Sequence, residues 1–283
     1  LAHMKPENTR SWELGLNMKF LKNTVNLDVT LYRSNTYHQT IYGKTSTSSL
    51  YSEQIVQSGN VQNQGIELSL GYRNTFGKIG VSSVLTYTLN QNKIKELSKA
   101  SVNQQGIPEI QKAYLGASSV APQVILREGG TMSDIYIKHE LKRDPNGSIA
   151  IDPSSGNLSM QEVGQRKAGH LAPNYNMGWN NSISYQGLTL GFVLSARVGG
   201  LAYSATQGIL DYYGGSKATA DARDNGGVPV NFGKVDAKKY YQTIATAEGG
   251  YGSYYLYSAT NVRLQELSLS YDLPKKWFNN KLN

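Results

Sequence analysis

The chain of 283 residues has no cysteine, which removes disulfide frameworks, thiolate metal sites and cysteine nucleophiles together. Its four histidines, His3, His38, His139 and His170, lie too far apart for any metal-ligand spacing. Nowhere does it carry the roughly 18 to 20 consecutive apolar residues of a membrane-spanning helix, so a helical membrane protein is excluded. Only 39% of its residues are apolar, little for a chain relying on a thick buried core. No run of Lys and Arg accompanies the net charge of +8; the excess is spread as a solvated basic surface, which argues against nucleic acid and leaves anionic partners such as lipid phosphates open. The opening "LAHM" has neither the positive region nor the apolar core of an export signal.

Glycine (29) and tyrosine (20) are abundant, with much Ser, Thr and Asn, a composition of strands and turns. The class is all-β. In "SWELGLNMKF", residues 11 to 20, Trp12, Leu14, Leu16, Met18 and Phe20 alternate with small, polar or charged residues, giving a strand with two unlike faces. The same alternation marks seven strands, at about 8–21, 24–37, 62–73, 79–91, 174–185, 188–199 and 260–273. Tight turns are expected near 22–24, 73–78 and 186–187, and long links at about 38–61, 92–173 and 200–259.

A soluble sandwich also alternates, so three further features decide. Several strands run ten to fourteen residues, nearer the roughly 9 to 11 of a tilted bilayer-crossing strand than the usual five or six. Connections switch strictly between short and long, as in outer-membrane barrels. Charge falls on one parity, with Glu13, Asp28, Glu67, Arg197 and Glu266, together with Lys19 and Asp272, assigned to a water-filled lumen and the other parity read as free of charge. On the apolar parity, Phe20, Tyr72, Tyr185 and Tyr271 are placed at the short-turn end, and Trp12, Tyr87 and Trp179 toward the long-link end, as two aromatic girdles. The apolar face therefore looks at lipid. Seven strands would leave an open edge that hydrocarbon does not tolerate, so the chain reads as part of a larger barrel.

The residues then resemble a known family, the SusC/RagA type of TonB-dependent outer-membrane transporter. The resemblance rests on "KPENTRSWELGL", "SGNVQNQGIELSL", "GHLAPNYNMGWNNSISYQGLTLGF", "ARDNGGVPV" and "SATNVRLQELSLSYDLP", in order along nearly the whole chain. It implies a stretch of the C-terminal half of a 22-stranded barrel in the outer membrane of a Gram-negative bacterium, as a single domain with the plug absent from this stretch. It also implies a non-enzymatic importer of oligosaccharides or peptides, energised through TonB and covered by a SusD-like lipoprotein. No cofactor is implied. The runner-up reading is a soluble extracellular β-rich glycan-binding or adhesin module.

Sites are less sharply marked. "GYRNTFGKI" lacks the phosphate-loop spacing and its hydroxyl residue, and reads as a hairpin turn. "RDPNGSIAIDPSSGN" supplies Asp144, Asn146 and Asp152 but not the alternating ligands or closing Glu of a calcium loop; it reads as a hairpin within the second link. A glycosidase pair such as Glu13 with Glu67 is no better than the polar rows any lumen needs. The third link gathers Tyr212, Tyr213, Tyr240, Tyr241, Tyr251, Tyr254, Tyr255 and Tyr257, with Asp211, Arg223 and Asp224 beside them. Flat amphipathic rings can stack on sugars, with the charged groups holding hydroxyls. The tyrosines can equally do no more than pack the link against its neighbours or a lid protein.

Overall fold

The computed structural model describes residues 4–44, 53–57, 59–99, 102 and 106–273; His3 and the closing segment 274–283 lie outside them. Strands β1 (Asn8–Phe20) and β2 (Val25–Tyr37) come first, and the first link makes a small hairpin, β3 (Thr40–Lys44) and β4 (Glu53–Gln57). After β5 (Asn60–Phe76) and β6 (Ile79–Glu96), the second link folds as β7 (Glu109–Tyr114), β8 (Gln123–Arg127), β9 (Asp134–Leu141) and β10 (Met160–His170). Next come β11 (Tyr175–Tyr185), β12 (Leu188–Val198) and β13 (Leu201–Tyr203). The third link continues through α1 (Ala205–Tyr212), α2 (Lys217–Asp224), β14 (Val228–Val230), β15 (Gly233–Val235) and α3 (Ala237–Ile244). It closes with β16 (Ala245–Thr246), β17 (Gly249–Gly250), α4 (Gly252–Tyr255) and β18 (Leu256–Ser258), before β19 (Asn261–Tyr271).

The long strands form one antiparallel sheet in the order β1-β2-β5-β6-β11-β12-β19, each beside its sequence neighbour among the long strands. Its first turn spans 21–24 and its third is the expected 186–187, while the second is tighter than the sequence suggested. Phe76 pairs with Ile79, so the turn is only Gly77–Lys78, with the glycine in the positive-φ first position of a two-residue loop. Gln186 and Gly187 both have positive φ, as a type I′ turn demands to match strand twist.

Register fixes the faces. One row joins Leu16, Val29, Leu68, Tyr87, Met177, Ala196 and Val262, and the next joins Met18, Leu27, Leu70, Leu85, Trp179, Leu194 and Leu264. Gln265 is the extra residue of a bulge between the pairs Val193–Glu266 and Leu194–Leu264, and it keeps Leu264 and Leu267 on one face despite their odd spacing. Leu14 is 63% exposed, Leu267 67% and Leu269 69%. Leu14, Leu27, Leu68 and Leu190 lie on one sheet face, and among the described residues no second layer gathers them inward. A contiguous apolar face of this extent belongs against a partner or lipid, not water.

Three sequence expectations change here. Tyr72 lies four residues above its turn, and Phe76 takes the end position, because the pairing runs on through Asn74 and Thr75. Trp179 sits mid-strand, edge-on to Phe192 at 5.6 Å, and Tyr175 replaces it at the long-link end, its ring 5.3 Å from Tyr87. The apolar parity is not free of charge: Arg10 and Arg33 lie on it at the long-link end, beside and beyond Trp12, where the strands have left the aliphatic band.

Among the described residues, the buried cores lie in the links and at the outer ends of β5 and β6. Ile41, Val56, Val61, Ile94, Leu97, Ile110, Val124 and Leu126 form a core in which the first two links fold onto the outer ends of β5 and β6. A second core joins Leu141, Ile244, Ala245 and Tyr255. The second link is a four-stranded sheet, β10-β9-β8-β7. β9 pairs with β10, whereas the stretch expected as its hairpin partner makes only the bridges Arg143–Ile149 and Ile151–Leu158. Helices within the third link qualify the all-β reading locally without changing the class.

Candidate functional site

Of the residues assigned to the lumen, Glu13, Lys19, Asp28, Glu67, Arg197 and Glu266 share the face opposite the leucines, and Asp272 lies just past the end of β19. Glu13 pairs with Tyr32, Asp28 with Asn17 and Ser69, Glu67 with Thr30 and Thr88, Arg197 with Asn176 and Asn261, and Glu266 with Val193. Asp28 Oδ2 accepts from Asn17 Nδ2 at 2.9 Å, and Tyr32 Oη donates to Asn90 Oδ1 at 3.1 Å. Arg197 is the exception to a free, solvated row: its Nη2 donates to the Leu171 carbonyl at 2.6 Å, tying β12 to the second link.

The third link is built from three capped helices. Ser204 Oγ accepts from Gln207 N at 3.2 Å, Ser216 Oγ from Thr219 N at 3.2 Å, and Asp236 Oδ1 from Lys239 N at 3.1 Å, satisfying amides that a helix start leaves open. Gly208 lets α1 press onto β17, since a Cβ there would stand 2.6 Å from the Gly249 carbonyl carbon. Asp211, 5% exposed, is held under α1 by Gln207 Nε2 at 2.8 Å and Tyr255 Oη at 3.0 Å. Burial pushes the Tyr255 hydroxyl far above the usual tyrosine range, and the Asp211 carboxylate adds to it.

Between α1, α2 and α3 opens a cleft of about 480 Å³, lined by Tyr212, Tyr213, Arg223, Lys238, Tyr241 and Gln242, with Asp211 in its wall. Tyr212 and Tyr213 meet edge to face at 5.1 Å. Arg223 Nη1 donates to the Gly214 carbonyl at 3.2 Å, joining the ends of α2 and α1. Burial raises the Tyr241 hydroxyl, with Asp211 the next cause. The cleft thus offers rings and two cations to a solute, groups suited to orienting a polyhydroxylated or anionic one, with the buried Asp211 carboxylate holding the wall behind them.

The sequence-derived set divides on this geometry. Asp211, Tyr212, Tyr213, Arg223 and Tyr241 converge on the cleft. Asp224 is exposed at the end of α2 and does not line it. Tyr255 is 1% exposed and packs the second core; Tyr254 Oη accepts from Leu141 N at 2.9 Å; Tyr240 packs beside them, its hydroxyl pushed up to about 12, chiefly by burial. These three are scaffold, not contact surface. Lys238 and Gln242 were missed, although Lys238, Tyr241 and Gln242 stand at i, i+3 and i+4 after the Asp236 cap, which puts them on one helical face. In the turn once weighed for calcium, Asp144 Oδ1 and Asn146 Oδ1 accept from Ser148 N, and Asp152 Oδ1 from the amides of Ser154 and Ser155. Those oxygens serve the turns.

Residues 2–124 match the family model of the TonB dependent receptor-like β-barrel. Over 97% of its length the chain is 25% identical to TonB-dependent receptor P3 of Formosa agariphila, and it spans 28% of that protein. The fold is similar to that of the RagAB peptide transporter, with TM-score 0.68 at 18% identity over 98% of this chain and 30% of the other. It is also similar to the RagAB peptide importer in its "closed-closed" state, with TM-score 0.67 at 18% identity, covering 96% of this chain and 30% of that one. Fold and matches define an outer-membrane β-barrel that crosses the bilayer with strands. Within that class, the chain is similar to stretches of TonB-dependent receptor barrels and shares its fold with the RagAB barrel, and it spans less than a third of the relatives it matches.

Proposed function

We propose that this stretch forms wall and outer loops of a TonB-dependent importer of oligosaccharides, a non-enzymatic transporter that works with a SusD-like surface lipoprotein as its lid. The observation that carries the reading is a sheet with a leucine-rich face against lipid and a polar face toward a channel, capped by a folded link whose cleft presents Tyr212, Tyr213 and Tyr241. In this reading those rings stack on sugar faces, Arg223, Lys238 and Gln242 hold hydroxyl groups, and Asp211 with Tyr255 fixes the cleft from below. Peptide is the second reading, favoured by the cleft's cations Arg223 and Lys238, which suit a peptide carboxylate, and by the RagAB neighbours, which are a peptide transporter. The exposed leucine face argues against a soluble adhesin.

The test is calorimetric binding of oligosaccharides and of peptides to the intact receptor with its lipoprotein. Oligosaccharide should bind, and Tyr213→Ser or Tyr241→Ser should each weaken it about tenfold, the loss of one ring contact. Binding of peptide alone would overturn the sugar reading. Sugar binding indifferent to both substitutions would remove the cleft from it. Released hydrolysis products would make the protein an enzyme instead.

A further inference from the structure

On the outward face of the wall, just above the Tyr87 and Tyr175 rings, lies a polar hollow of about 720 Å³. Its floor is Gln62, Gln64 and Gln91, and its cations are Arg33, Lys93 and Lys95. Register places it: Arg33, Gln64 and Gln91 share the row of Trp12, the first beyond the aliphatic row of Leu14, Leu31, Ile66 and Leu89. Lys93 and Gln62 stand one row further out, where headgroups begin once the hydrocarbon ends. The hollow exists because β11 begins only at Tyr175, leaving the upper edge of β6 to be covered by the 129–133 turn and the segment at His170, Ala172 and Asn174. The Arg33 guanidinium stands against the amide of the buried Gln62, and Gln64 Nε2 donates to Gln91 Oε1 at 3.1 Å. Among the described residues no carboxylate lines it.

We infer that this hollow binds the phosphate-bearing headgroup of an outer-leaflet glycolipid, with Arg33, Lys93 and Lys95 on the phosphate and the glutamine floor on the adjoining sugar. Three cations without a counter-charge suit an anion. Their place on the lipid side of the wall, and not in the channel, makes the anion one carried by the membrane. The acyl chains of such a lipid would run down over Leu89, Tyr87 and Leu68, whose exposure otherwise has only bulk lipid to meet it. The inference rests on the wall lying in the bilayer, and not on what the channel carries.

The intact receptor is reconstituted in nanodiscs of phosphatidylcholine with a trace of a bis-phosphorylated, acylated disaccharide lipid or of the same lipid with its phosphates removed. Retained lipid is counted by native mass spectrometry. The phosphorylated lipid should be retained and the dephosphorylated one lost. Neutralising the three cations (Arg33→Gln, Lys93→Gln, Lys95→Gln) should weaken retention on the order of 100-fold, about fivefold per charge near a membrane surface. Lys22→Gln, at the opposite end of the wall, should change nothing. Equal retention of both lipids, or undiminished retention by the triple variant, overturns the proposal. So does complete displacement by millimolar inorganic phosphate, which would make this a free-anion site, or occupation by a second copy of the receptor. If the triple variant fails to assemble, the dephosphorylated lipid on the unaltered protein still decides. Failure of the membrane reading is separable, because the receptor would then not enter nanodiscs at all.

Discussion

Replacing Tyr255 by phenylalanine removes one oxygen from the middle of the third link. That oxygen donates to Asp211 Oδ2 at 3.0 Å, and both partners are shut off from water, at 1% and 5% exposure. In the variant the carboxylate keeps only Gln207 Nε2 at 2.8 Å. A hydrogen bond to a charged group contributes about 1.5 to 3 kcal/mol, so local opening of the link should become about 10- to 150-fold more frequent. Amide hydrogen exchange on the intact receptor reads this directly. Amides of α1, β17 and α4 should exchange faster by that factor, while those of β2, β5 and β6 keep their rates. Tyr213→Phe is the control: with 71% exposure its hydroxyl meets water, and less than about a twofold change is expected. Unchanged exchange in α1 and β17 would refute the role given to the Asp211–Tyr255 pair. Faster exchange throughout the wall would refute the separation of the link from the sheet.

Ser83 and Asn181 sit on the lipid-facing parity, where Ser83 Oγ donates to Asn181 Oδ1 at 2.7 Å and accepts from Trp179 Nε1 at 2.9 Å. Ser83→Ala should lower barrel stability by about 2 kcal/mol or more, since it leaves two polar groups unpaired in hydrocarbon, and Ser83→Ala with Asn181→Leu should recover much of that. Thermal loss of heat-modifiable gel migration measures both. The third link should also be sensitive to alkali. Burial raises Tyr240 to about 12 and Tyr255 further, whereas an unfolded tyrosine ionises near 10. The unfolded link therefore releases its protons first, so stability is complete below about pH 10 and falls as pH rises through about 12. Tyrosinate absorbance should show a late, cooperative fraction; a single titration near pH 10 would contradict it.

The wall was legible because each strand writes its two faces at a period of two, and because short turns such as Gln186–Gly187 leave only one register. Its ends were not. Asn74 and Thr75 look like turn residues, yet Asn74 pairs with Val81, where the outward face is already leaving the hydrocarbon. Ser83 and Asn181 look like breaks in the apolar parity, and only side-chain geometry shows that Ser83 Oγ bonds both Asn181 Oδ1 and Trp179 Nε1. The helices of the third link were missed because eight-residue segments with few apolar positions carry a weak period; the caps Ser204, Ser216 and Asp236 were the readable signal, and packing onto Leu141 and Tyr255 does the rest. The tyrosines could not be sorted in sequence, since an identical side chain serves as floor at Tyr255 and as lining at Tyr213. Charge at Arg10 and Arg33 escaped the parity argument because the pattern does not say where along a strand the bilayer stops.

The account turns on which solvent each face of the wall meets. This stretch has no cysteine, so with any cysteine outside it replaced, single cysteines can be placed along β5 from Ile66 to Tyr72 of the membrane-embedded receptor, spin-labelled, and tested against oxygen, which concentrates in lipid, and a water-soluble nickel chelate. Positions 66, 68, 70 and 72 should collide with oxygen, and 67, 69 and 71 with nickel, in strict alternation. Equal accessibility of both parities to nickel, or protection of the even positions from both reagents, would mean that the leucine face is not in a membrane.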